Sequence, residues 1–110
     1  MKMQMARVIL FTNKMDAMTA FYRDVLGLKQ LSNEAGWREF DAGGVHIALH
    51  SGPPSPGKKG PKIVFRSRSV ARLRATLNAR GAKFGDVSTG AFHLSNGKDP
   101  DGNPIQLSNR

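Results

Sequence analysis

From Arg7 to Thr12 the chain reads Arg-Val-Ile-Leu-Phe-Thr, an apolar run of strand length. Past it, Met18, Phe21, Tyr22 and Val25 recur at i, i+3, i+4 and i+7, which predicts a helix with one apolar face. Asn13 or Asp16 can cap that helix, and Gly27 can end it. Three short strands are predicted next, over 28–31, 37–40 and 45–50. The turn signals Asn33-Glu-Ala-Gly36 and Ala42-Gly-Gly44 separate them.

The same order then recurs. Lys62-Ile-Val-Phe-Arg66 opens it as a strand, and Val70, Leu73 and Leu77 share one face of a helix that Ser69 can cap and Gly81 can end. Strands follow over 83–87, 91–95 and 104–108, divided by Ser88-Thr-Gly90 and by Asp99-Pro-Asp-Gly-Asn103. A unit used twice is the signature of an internal repeat, here βαβββ followed by βαβββ. Between the copies runs Ser51-Gly-Pro-Pro-Ser-Pro-Gly-Lys-Lys-Gly60, too rich in Pro and Gly for a core element. It reads as a linker, with a flap over a ligand or a hinge for exchanging halves as the functional alternatives.

Strand alternation sorts side chains onto faces. Val45, Ile47 and Leu49 share the face expected against a helix, leaving His46, Ala48 and His50 on the other. Arg7, Ile9 and Phe11 share a face, as do Lys62 and Val64, and Ile105 and Leu107 oppose Gln106 and Ser108. Parity is left open for Trp37 against Arg38 and for Phe92 against His93.

The ending Asp99-Pro-Asp-Gly-Asn-Pro-Ile-Gln-Leu107, with Ala20-Phe-Tyr-Arg-Asp-Val-Leu-Gly-Leu28 near the front, resembles the vicinal oxygen chelate superfamily of glyoxalases, bleomycin-resistance proteins and dioxygenases. The resemblance spans the whole chain. It implies an α+β fold in which two βαβββ modules form a curled mixed sheet around a cavity. The whole of 1–110 is then a single domain, with module one at about 5–50, the linker at 51–60 and module two at about 61–110. It implies a homodimer and a ligand on the concave side. Arg7, Phe11, Trp37, His46, His50, Lys62, His93 and Gln106 are the expected ligand-binding residues.

Metal-using members of this superfamily resemble one another in placing a ligand on the first and last strand of each module. The matching positions here are Arg7, Ala48, Lys62 and Gln106. Arginine stays protonated and has no lone pair to donate, lysine would have to lose its proton, and alanine has no donor. The expectation is therefore a small-molecule binder without the usual divalent metal, its cationic floor suited to an anionic ligand with an apolar body. The alternative is a lactoylglutathione lyase-like or dioxygenase-like enzyme with a displaced site at Glu39, His50 and His93, holding Ni, Zn, Fe or Mn. His46 and His50 lie about 13 Å apart along one strand, too far to share an ion without a bend. A metal-free enzyme using His50 or His93 as general base, with Arg7 or Lys62 beside an enolate, is also compatible with the residues present.

Composition narrows the rest. The chain has 110 residues and no cysteine, so disulfides, thiolate metal sites and a cysteine nucleophile are excluded. Its formal charge of +9 favours anionic partners. Arg66, Arg68, Arg72, Arg74 and Arg80 cluster around the second helix, but no nucleic-acid-binding motif accompanies them, and they read as a solvated face. No apolar run is long enough to span a membrane, and Arg7 interrupts any leader-like run, which predicts cytoplasmic residence.

Overall fold

The computed structural model describes residues 1–56 and 61–110. Two compact units divide it, 1–55 and 56–110. In the first, strand β1 (Arg7–Thr12) is followed by helix α1 (Met15–Ala20), a π-helical turn (Phe21–Val25) and strands β2 (Lys29–Gln30), β3 (Trp37–Asp41) and β4 (His46–Ser51). The sheet order is β1-β4-β3-β2, with β1 parallel to β4 and the other pairs antiparallel.

One continuous α-helix was the expectation up to Gly27, capped by Asn13 or Asp16. The structure differs twice. Lys14 stands at the N-cap, where its ammonium has no acceptor to offer the first turn, and the buried Thr12 hydroxyl accepts the Lys14 N–H at 2.9 Å. The helix then widens, and Leu26 N–H reaches Phe21 O at 2.9 Å, five residues back. The wider turn lets the consecutive rings of Phe21 and Tyr22 both be buried, packed edge to face at 5.3 Å. Gly27, at φ 76°, closes the segment as Leu28 N–H bonds Tyr22 O. Met18, Tyr22, Phe40, Ile47 and Leu49 are the buried core of this unit.

The second unit repeats the plan with β5 (Ile63–Arg66), α2 (Val70–Ala79), β6 (Ser88–Thr89), β7 (His93–Lys98) and β8 (Pro104–Ser108). Its order is β5-β8-β7-β6, with β5 parallel to β8. Ser69 caps α2 as expected, accepting the Arg72 N–H. Helix α2 packs on β7 and β8 over Val70, Leu77, Phe84, Ile105 and Leu107, all buried. Residues 83–87 are not the expected strand. Asn78 grips Phe84 from both sides, donating to its carbonyl at 3.0 Å and accepting its N–H at 2.9 Å. Arg74 Nε and Ser95 Oγ both donate to Gly85 O. Side chains thus take the backbone groups that a strand neighbour would use.

The architecture is α+β, as the sequence pattern implied. The expected 51–60 linker falls partly on residues 57–60, outside the described residues. Among the described residues, no helix is long and apolar enough to cross a membrane.

Candidate functional site

Register turns the first sheet's open face into a grid. Arg7 pairs with His46 and His46 with Asp41, Ile9 with Ala48 and Ala48 with Glu39, and Phe11 with His50 and His50 with Trp37. Paired residues point to the same side, so these nine side chains form three rows across β1, β4 and β3. The first row is charged, the middle row is small or apolar apart from Glu39, and the last row is aromatic. Parity for β3 is thereby decided: Trp37 belongs to the open face, and Arg38 turns to the other side to bond Thr19 Oγ1 at 3.1 Å.

In the aromatic row the His50 ring lies 5.2 Å from Phe11 and 5.7 Å, edge to face, from Trp37. His50 Nδ1 donates to the Ser51 carbonyl at 2.8 Å. Ile9 and Phe11 are 42% and 50% exposed, which leaves apolar surface facing outward beside the rings.

Glu39 ties the rows together. Its Oε2 accepts from Arg7 Nε at 3.2 Å and from His46 Nδ1 at 2.6 Å, and its Oε1 accepts from Trp37 Nε1 at 3.1 Å. Its backbone N–H donates to Ser32 Oγ at 3.1 Å. To reach Arg7 the side chain must cross β4, and the residue it crosses beside is Ala48, whose lone methyl leaves room. The His46 hydrogen bond holds the Glu39 carboxyl below its ordinary range; burial opposes it, and the hydrogen bonds from Arg7 and Trp37 add smaller lowering contributions. At the charged end, Arg7 and His46 line an open cavity of about 520 Å³ together with Gln4, Met5, Ala6, Gly44 and Val45.

The second unit presents a different open face. Val64 pairs with Gln106 and Gln106 with Asn96, and Gln106 Nε2 donates to Asn96 Oδ1 at 3.0 Å. Lys62, exposed, precedes β5 with the parity of Val64. His93 alternates with Leu94 and shares the side of Ser95 and Leu107, the side α2 covers, at the exposed start of β7. Phe92 lies just before that strand, with the Arg110 guanidinium 4.8 Å above its ring.

A family model described as the glyoxalase/bleomycin resistance protein/dioxygenase superfamily matches residues 4–107. The chain belongs to this superfamily. No curated protein matches it in sequence. Among solved structures, a lactoylglutathione lyase from Agrobacterium tumefaciens is 19% identical, with TM-score 0.77, and the alignment covers 98% of this chain and 94% of that one. TnmS3, an antibiotic binding protein from Streptomyces sp. CB03234, is 18% identical with TM-score 0.80, covering 96% and 94%. A glyoxalase/bleomycin resistance protein from the same Streptomyces is 20% identical with TM-score 0.74, covering 94% and 98%. At these identities the structural likeness establishes the shared fold.

As a superfamily member the chain departs from a divalent-metal donor set. Arg7 is ion-paired with Glu39, Ala48 is fully buried with no donor atom, Lys62 is a cation, and Gln106 is already bonded to Asn96. These residues do not fit the metal. Among the described residues no three of His, Cys, Asp and Glu are grouped to hold an ion. The structure also sorts the expected ligand residues. Arg7, Phe11, Trp37, His46 and His50 share one face of one sheet, Gln106 lies on the open face of the second sheet, and His93 lies on its covered side. Sequence reasoning placed Glu39 only in a displaced metal set and missed it as the centre of the face. Pairing β3 with β4 across the Ala42-Gly-Gly44 turn is the signal that would have found it.

Proposed function

We propose that the protein binds a small anionic molecule with a flat apolar body on the open face of the first sheet, without the usual divalent metal. The carrying observation is the gradient along that face, from Arg7 and His46 to Phe11, His50 and Trp37. An acidic group pairs with the guanidinium, whose fork suits a carboxylate or phosphate, while the body lies over the exposed Ile9 against the aromatic row. The likeness in fold to a protein described as antibiotic binding supports a binding role by analogy. A homodimer, which the resemblance implies, and residence in the cytoplasm belong to the same proposal.

Titration calorimetry with 4-phenylbutanoate tests it. Arg7→Ala removes a charged hydrogen-bond partner worth about 1.5–3 kcal/mol and should weaken binding by about ten- to a hundred-fold. Equal affinity in wild type and variant would remove Arg7 from the site.

A further inference from the structure

The open-face histidines differ in what orients them. His50 donates to a backbone carbonyl, whereas His46 donates through Nδ1 to a carboxylate at 2.6 Å. A carboxylate on Nδ1 fixes the ring and its tautomer, and it stabilises the imidazolium formed when Nε2 takes up a proton. Glu39 suits that task, since its carboxyl is held below its ordinary range and is ionised at neutral pH. Among the described residues, His46 Nε2 and the Arg7 Nη groups have no hydrogen-bond partner, and both residues are among those that line the open cavity. The charged groups around His46 are Arg7 on β1, Glu39 and Asp41 on β3 and, one strand further, Lys29 on β2.

A base held by a carboxylate, beside a fixed cation, is one arrangement that can take a proton from carbon next to a carbonyl. We propose that His46 is a general base for keto–enol proton transfer in 2-oxo acids carrying an apolar tail. Glu39 is its positioning residue, and Arg7 holds the carboxylate and the oxygen that gains charge. In the step, His46 Nε2 takes a proton from the carbon next to the carbonyl. The C–H electron pair forms the new C=C bond, and the carbonyl π pair moves onto oxygen beside the guanidinium. Return of the proton from Nε2 to oxygen gives the enol, and return to carbon restores the ketone. Nothing is oxidised, reduced or consumed. The tail runs along the grid, whose outer rows are about 13 Å apart.

This inference rests on the binding reading above, and one experiment separates the two. The intact protein is mixed with 2-oxo-4-phenylbutanoate in deuterium oxide. Proton NMR follows loss of the C3 methylene signal while calorimetry measures affinity. The expected result is exchange faster than in buffer. At saturating acid, His46→Gln should lower the rate about 100-fold. Glu39→Gln should lower it and also shift its pH profile, which loss of packing alone would not do. Affinity without exchange above the buffer rate overturns the inference and leaves the binding reading standing. Exchange that survives intact in His46→Gln also overturns it. Absence of affinity overturns both.

Discussion

Glu39 accepts hydrogen bonds from three side chains on three different residues of the open face, so its ionisation is coupled to folding. Its carboxyl is held below the ordinary range in the folded protein. The stabilisation is therefore present above the unfolded value of about 4.3 and is lost as pH falls through the depressed folded value. Glu39→Gln should be less stable than wild type at pH 7, and the gap should close on acidification. Urea midpoints of both proteins along an acid series check this, and a gap independent of pH would contradict it. None of this cluster is adjacent in sequence. Alternation alone puts His46 and His50 on one face, because side-chain direction along a strand is local. Which carboxylate meets which imidazole depends on register, and Glu39 reaches His46 on the diagonal, from the Ala48 row to the Asp41 row. His93 shows the same limit: its face could not be assigned until β7 was paired with β8.

The elements with a strong period were readable, and those whose form depends on distant partners were not. Helix α2 follows its apolar spacing, and its cap is the residue that cap chemistry selects. Ser69→Ala should cost about 1 kcal/mol. At the other helix Asn13→Ala should change stability little, since no side chain caps α1 and Thr12 serves the turn. Chemical denaturation of the two variants distinguishes a used cap from an unused one. Residues 83–87 look like a strand because Phe84 and Val87 are apolar, yet Asn78, Arg74 and Ser95 hold the segment from outside. The packing there is tight: a Cβ on Gly97 would come within 2.7 Å of the Phe84 ring. Gly97→Ala should therefore destabilise by about 1–3 kcal/mol, measured the same way, and a neutral effect would mean that the ring moves aside.

Across the whole chain, the repeat was legible because each half carries its own strand, helix and turn signals, and each half is a compact unit. The two halves nevertheless carry different chemistry on equivalent faces, with Arg7, His46 and Glu39 on one and Val64, Gln106 and Asn96 on the other. In the metal-free proposal, nickel, zinc, iron or manganese should leave the melting temperature unchanged. An aryl-tailed acid at a hundred times its Kd should add about 2.7 kcal/mol of stability and raise the melting temperature. A stoichiometric ion that raises the melting temperature would reverse that assignment. The chain contains one tryptophan, Trp37, and its indole N–H is bonded to Glu39 while its ring meets His50. The protein is consequently its own optical probe: tryptophan emission comes wholly from the proposed site, so occupancy of that face can be followed by light, without a label.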